Sequence, residues 1–174
     1  MSDDRRTLVL LRHAKSGYPD GVADHDRPLA PRGEREAGLA GDWLRGDSVA
    51  PPVQAVLCST AARTRQTLAR TGIDAPVQFV ERLYGAMPGA VIGEINSAAD
   101  VFGFDVRTLL VIGHEPAMSS VALALAGAPG TNETAAGRIS TKYPTSALAV
   151  LKVDGPWQDL EVGGAALETF YVPR

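Results

Sequence analysis

The chain has 174 residues, of which 45% are hydrophobic and 21% charged, and its formal net charge is -3. This length suits a single domain with a sizeable core, and the charge lacks the basic excess that favours nucleic-acid binding. No apolar run approaches the roughly 20 residues that cross a bilayer. The single cysteine, Cys58, excludes an internal disulfide. We therefore expect one cytoplasmic domain over residues 1–174, without nucleic-acid or membrane partners.

Short apolar runs alternate with amphipathic segments along the chain. The first half of the chain predicts, in order, a strand at Thr7–Leu11, a helix from Pro31 to Leu44, a strand at Ala55–Cys58, a helix capped by Ser59 or Thr60 and running to Thr71, and a strand at Val77–Val80. The second half predicts a helical stretch over Ala90–Phe102, a strand at Thr108–Ile112, a helix at Met118–Ala126, a turn-rich loop at Gly127–Gly137, and strands at Ala147–Val153 and Leu167–Val172. This order predicts an α/β fold, a three-layer α/β/α sandwich with a mostly parallel central sheet.

Polar side chains follow three of the predicted strands. Arg12 and His13 follow the first, Ser59 follows the second with Arg63 one helical turn later, and His114 follows the fourth. Because ligands of such sheets bind outside the carboxyl ends of the strands, we expect these side chains to converge there. A cluster of histidines and arginines needs an anionic partner, and the planar guanidinium matches the oxygen atoms of phosphate.

The motifs that carry these residues resemble a known family. "LVLLRHAKS" (Leu8 to Ser16), "CSTAARTRQT" (Cys58 to Thr67) and "VIGHEP" (Val111 to Pro116) are similar to the three motifs of the histidine phosphatase superfamily. "DRPLAPRG" (Asp26 to Gly33) and "YPTSALAVL" (Tyr143 to Leu151) resemble its small SixA-like phosphohistidine phosphatases. The resemblance covers nearly the whole chain and implies the phosphoglycerate mutase-like fold.

The resemblance also implies a role for each matching residue. His13 would be the nucleophile and become transiently phosphorylated, Arg12 and Arg63 would hold the phosphoryl oxygens, and His114 would donate to the same group. Many relatives carry glycine after the nucleophilic histidine, whereas Ala14 and Lys15 follow here. Lys15 and Ser16 are further candidates for phosphate contacts. No cofactor or metal is expected, since two guanidinium groups hold the phosphoryl group and no histidines are spaced as metal ligands.

The proton donor for the leaving group is less defined. Larger relatives use a carboxylic acid, and Glu81 is the candidate here, with Asp24 and Asp26 as other loop carboxylates. SixA-like relatives lack such an acid. An absent acid favours phosphohistidine substrates, because imidazole is readily protonated and leaves without strong acid assistance.

Other residues near these motifs have simpler interpretations. Arg27 is expected to pair with Asp24 or Asp26 within the Ser16–Arg27 loop, and His25 to be structural or exposed. Glu115 is expected to point away from the phosphate, and Gly113 to allow close approach of a ligand.

Three functions remain as hypotheses. The first is a metal-independent phosphatase acting on a protein phosphohistidine. The second is a phosphatase for a small phosphoester, which the short chain disfavours because few insertions are available to build a lid; the same reason disfavours a mutase. The third is a non-catalytic phosphoprotein-binding module. A cysteine phosphatase is excluded by spacing, because Thr64 stands where Cys58 would need an arginine.

Overall fold

The structure, a computed structural model, describes residues 4–174 and contains a six-stranded sheet in the order β3-β2-β4-β1-β5-β6. The strands are β1 (Arg6–Arg12), β2 (Ala55–Ser59), β3 (Val77–Val80), β4 (Thr108–Gly113), β5 (Leu148–Val153) and β6 (Ala165–Tyr171). Strands β3, β2, β4 and β1 are mutually parallel, whereas β5 is antiparallel to both β1 and β6. The predicted mostly parallel sheet is confirmed.

Helices cover both faces of this sheet. They are α1 (Pro31–Leu44), α2 (Ala62–Thr71), α3 (Pro88–Asn96), α4 (Ala98–Phe102), α5 (Ala117–Leu125) and α6 (Glu133–Thr141). Helices α1 and α2 pack with Val9 and Leu11 of β1, and the other four pack with Leu8 and Leu10. Successive strand residues face opposite layers, so the continuous apolar run of β1 fills both cores. This is the predicted three-layer α/β/α sandwich.

Close backbone packing positions α1 against the loop that follows β1. A Cβ atom added at Gly33 would lie 2.0 Å from the carbonyl oxygen of Lys15. Farther along α1, a Cβ atom at Gly41 would lie 2.1 Å from the carbonyl oxygen of Thr71 at the end of α2. Only glycine fits at both contacts, and the first lies two residues from His13.

Two local predictions are wrong. The predicted loop at Gly127–Gly137 contains the start of α6, where the side chain of Asn132 accepts a hydrogen bond from the Ala135 amide. The sequence did not predict this helix because the small residues of α6 lack a strong apolar periodicity. Helix α2 begins after Ala61 without a side-chain cap, so neither Ser59 nor Thr60 caps it.

Among residues 4–174, no helix is both long enough and apolar enough to cross a membrane.

Candidate active site

The end of β1 is held by hydrogen bonds to its neighbours. The amide of His13 donates to the carbonyl oxygen of Gly113 at 3.0 Å, beyond the last pair of the β1–β4 ladder. The Ser146 amide donates to the carbonyl oxygens of Arg12 (3.2 Å) and His13 (3.1 Å). Ser146 is fully buried with φ of 67°, an uncommon conformation for a residue other than glycine. This strained residue fixes the backbone at the point where β1 turns into the site.

His13 is held in one tautomer. Its side chain is buried, and Nδ1 lies 2.7 Å from the carbonyl oxygen of Ala14. A carbonyl oxygen only accepts hydrogen bonds, so Nδ1 carries the ring proton and Nε2 of the neutral ring keeps its lone pair. Burial lowers the pKa of His13 to about 3, and the charges of Arg63 and Arg12 act in the same direction. His13 therefore has a free nucleophilic nitrogen at neutral pH.

His114 lies beside His13, with 5.2 Å between the ring centroids. Its Nε2 is 2.8 Å from the hydroxyl oxygen of Ser59, at the end of β2. Burial, followed by the charge of Arg63, lowers the pKa of His114 to about 4. Within residues 4–174, the buried Nδ1 atom of His114 has no hydrogen-bond partner.

Both predicted arginines lie close enough to this pair of histidines for their charges to lower the pKa of each. Nη1 of Arg12 donates to the carbonyl oxygen of Tyr143 at 2.8 Å, and Arg63 is buried at the start of α2. The Nε atoms of both arginines are buried without a hydrogen-bond partner among residues 4–174. Unpaired buried donors are costly, and an oxyanion is the ligand that would satisfy them.

Arg63 is held by the loop between β1 and α1. Its Nη1 donates to the carbonyl oxygen of Asp24 at 2.7 Å, and its Nη2 donates to Oδ2 of the same residue at 3.1 Å. The hydroxyl of Tyr84 also donates to this Oδ2 atom, at 2.5 Å. The hydrogen bond from Tyr84, supported by Arg27 and Arg63, holds the pKa of Asp24 well below its usual range. Asp24 is therefore an ionised partner of Arg63.

Tyr84 is a site residue that the sequence reasoning missed. Its ring contacts His114 edge to face, with 5.6 Å between centroids, and the guanidinium carbon of Arg63 lies 5.8 Å from the ring centroid. It lies three residues after Glu81, the candidate acid. Glu81 is exposed, and its carboxylate forms no hydrogen bond or ion pair with the described part of the chain. The "ERLYG" segment thus brings its tyrosine to His114, and a role for Glu81 stays a prediction.

The two further phosphate-contact candidates have other neighbours. The buried Ser16 hydroxyl accepts a hydrogen bond from Nη1 of Arg27 at 2.6 Å. The ammonium of Lys15 lies 5.7 Å from the ring centroid of Tyr18, and Lys15 lines a cavity with Arg12. Their binding of phosphate stays a prediction.

The simpler interpretations are largely supported. Arg27 pairs with Asp24, and Glu115 accepts hydrogen bonds from the Ser119 amide and hydroxyl within α5. His25 is half-buried and lies 2.9 Å from the Thr60 hydroxyl, and its ring packs edge to face on Tyr84 with 4.8 Å between the centroids. At Gly113, an added Cβ atom would lie 2.9 Å from Cε of Met118. The flexible end of the Met118 side chain can move, so this contact does not require glycine, and the approach of a ligand at Gly113 stays a prediction.

Cys58 is fully buried in the core below the site. Burial raises the pKa of its thiol to about 12. A thiol of this kind is a poor nucleophile at neutral pH, which agrees with the exclusion of cysteine chemistry.

The chain is similar to a known protein family and to proteins of mycobacteria. Residues 8–99 match the model of the histidine phosphatase superfamily (branch 1). An uncharacterised Mycobacterium tuberculosis protein is 63% identical over 164 residues, covering 94% of this chain and 100% of that protein. An uncharacterised Mycobacterium leprae protein is 56% identical over 168 residues, covering 94% of this chain and 100% of that protein.

Solved structures share the fold over nearly the whole chain. A Nakamurella multipartitia structure, provisionally assigned as the phosphohistidine phosphatase SixA, is 40% identical with a TM-score of 0.85 and covers 98% of each chain. The protein histidine phosphatase SixA in complex with tungstate has a TM-score of 0.74 at 23% identity, over 96% of this chain and 97% of that chain.

The chain therefore belongs to the histidine phosphatase superfamily. It is a phosphatase with the phosphoglycerate mutase-like fold of its structural neighbours.

Proposed function

We propose that the protein hydrolyses protein phosphohistidine without a metal ion, through a phosphorylated His13 intermediate. The observation that carries the proposal is the 2.7 Å contact between Nδ1 of His13 and the Ala14 carbonyl oxygen. It directs the lone pair of a neutral, buried ring to Nε2. Imidazole in this state is a competent nucleophile at neutral pH.

The first step transfers the phosphoryl group to His13. Nε2 of His13 attacks phosphorus and the new N–P bond forms. The N–P bond of the substrate breaks with its electron pair returning to the substrate imidazole, whose other ring nitrogen has taken a proton from solvent, so the ring leaves as neutral imidazole. Arg12, Arg63 and His114 stabilise the charge on the three phosphoryl oxygens through their unpaired buried nitrogens. Transfer of this kind depends mainly on positioning and charge stabilisation, which these residues provide.

The second step returns His13 to its starting state. Water attacks phosphorus, the bond to Nε2 breaks, and inorganic phosphate leaves with the proton lost by water shared between phosphate and solvent. Nε2 recovers its lone pair, and the Ala14 carbonyl retains the Nδ1 proton throughout. The catalytic cycle therefore needs no net change in the protonation of His13.

The carboxylates near the site favour a nitrogen leaving group. Asp24 is kept ionised by Tyr84 and two arginines, so it is a poor proton donor, and Glu81 has no described contact with the site. An alkoxide leaving group needs a donor, whereas a leaving imidazole is readily protonated by water. The likeness to the SixA-type structure at 40% identity supports the same substrate class.

Hydrolysis of phosphohistidine and of an aryl phosphate, each with a metal chelator present, tests this proposal. We expect chelator-resistant turnover that favours phosphohistidine and disappears in His13→Ala. Arg35→Ala, at an exposed residue of α1, is the control and should retain turnover. Turnover that persists in His13→Ala would overturn the nucleophile assignment, and a preference for the aryl ester would favour a small-molecule phosphatase.

A further inference from the structure

A strongly basic cavity adjoins the candidate active site. It has a volume of about 180 Å³ and shares Arg12 with the site. Its other lining residues come from the loop after β1, the start of α1, the segment between α6 and β5, and the end of the chain. The cationic lining residues are Arg12, Lys15, Arg32, Lys142 and Arg174. This concentration is not a consequence of composition, because the chain as a whole has a net charge of -3.

A buried carboxylate holds two of these cations in place. Glu36 is 4% exposed and lies on α1. Its Oε1 atom is 3.3 Å from Nε of Arg32, and its Oε2 atom is 2.9 Å from Nη1 of Arg174. Each guanidinium presents five N–H donors, so both keep donors for a further anion. Glu36 thus pairs with two half-exposed guanidinium groups at the cavity without occupying all of their donors.

The remaining cations form no ion pair within the described part of the chain, although the charge of Glu115 acts on Arg12. Within residues 4–174, neither Lys15 nor Lys142 forms an ion pair, and Nε of Arg12 is buried without a hydrogen-bond partner. Like charges this close repel one another, and a bound oxyanion would relieve the repulsion. Arginine and lysine together are the side chains that proteins use for phosphate and carboxylate groups.

We infer that this cavity is a subsite for a second oxyanion, phosphate or carboxylate, on the substrate whose phosphoryl group is transferred to His13. The inference rests on the proposed function, because Arg12 would contact both the transferred group and the second anion. The substrate class is therefore a phosphorylated molecule or protein segment with another anionic group close to the phosphoryl group. A substrate with only one anionic group would leave the cavity cations unpaired.

Calorimetric titration with phosphonates tests the subsite without requiring turnover. The probes are methylphosphonate and a series of bisphosphonates of increasing length, from methylene- to butylene-bisphosphonate. We expect at least one bisphosphonate to bind about tenfold tighter than methylphosphonate, the gain of one charge-assisted contact, and this ratio to fall at high salt. In the double variant Arg32→Ala/Lys142→Ala the ratio should approach unity.

Arg35→Ala is the matched control, because Arg35 is an exposed arginine of the same helix that does not line the cavity. It should keep the wild-type ratio. A wild-type ratio near unity for the whole series, or an undiminished ratio in the double variant, would overturn the inference. A high ratio from an enzyme that hydrolyses no phosphohistidine would preserve the subsite and refute the proposed function instead.

Phosphohistidine peptides distinguish the two sources of the second anion. A peptide with glutamate beside the phosphohistidine is compared with one carrying glutamine there. A higher kcat/KM for the glutamate peptide, lost in the double variant, would assign the subsite to a protein carboxylate. Equal values, with the bisphosphonate preference intact, would assign it to a second phosphate.

Discussion

At the scale of single residues, the site depends on two buried histidines that stay neutral beside two guanidinium groups. Burial is the largest cause of the lowered pKa of both His13 and His114, and the arginines add to it. A phosphoryl group reverses this balance, because its negative charge offsets the arginines and satisfies their unpaired nitrogens. In the proposed mechanism, the same environment therefore keeps His13 unprotonated in the free enzyme and provides donors for the transferred group.

Replacement of Arg63 tests the role of the guanidinium. We expect Arg63→Ala to weaken inhibition by vanadate and to lower kcat/KM by about 100-fold, the typical cost of losing one donor to a developing oxyanion. Steady-state kinetics with vanadate as inhibitor measures both. Arg65→Ala, on the same helix but stacked on Phe79, should resemble wild type. Unchanged vanadate affinity and turnover in Arg63→Ala would remove Arg63 from the site.

At the scale of elements, the positions of the strand ends and of the start of α1 could be predicted from the sequence. The buried runs at Leu8–Leu11 and Leu109–Ile112 fill both core layers, so their ends had to meet at one edge of the sheet. The start of α6 was missed because its residues are small and polar. Tyr84 was missed because its role depends on Asp24, 60 positions away, which the folded loop brings to it.

The close contact between α1 and the loop after β1 can be tested by enlarging Gly33. Gly33→Ala should lower the free energy of unfolding by about 1–3 kcal/mol and reduce kcat/KM, because the added methyl group displaces the Lys15 backbone close to His13. Urea denaturation and steady-state kinetics measure the two effects.

Gly38→Ala is the matched control on the same helix, because an added Cβ atom there has no neighbour within 4 Å among the described residues. It should raise the free energy of unfolding by about 0.5–1 kcal/mol, since alanine favours the helix. If Gly33→Ala were equally stabilising and fully active, the contact would not position the loop.

At the scale of the whole molecule, the neutral histidines couple stability to pH. The pKa values of His13 and His114, about 3 and about 4, lie below the ordinary histidine value of 6.5. Between each of these lowered values and pH 6.5, the unfolded chain therefore binds more protons than the folded one. The contribution of the two neutral histidines to the free energy of unfolding is complete above pH 6.5 and is lost as the pH falls below that value.

Urea denaturation between pH 7 and pH 5 measures this coupling. We expect the free energy of unfolding to fall by up to about 1.4 kcal/mol per pH unit for each histidine. The change in the free energy of unfolding per pH unit should be smaller in the double variant His13→Asn/His114→Asn. A double variant with the wild-type slope would show that other groups cause the pH dependence.

The proposed mechanism depends on His13 becoming phosphorylated. The most direct measurement is rapid chemical quench of the enzyme with a phosphoryl donor, followed by mass spectrometry and phosphorus NMR of the denatured protein. We expect a phosphoryl group that is stable in alkali and labile in acid, bonded to Nε2 of His13. A phosphoryl group on Nδ1 or on another residue would contradict it, as would turnover in His13→Ala.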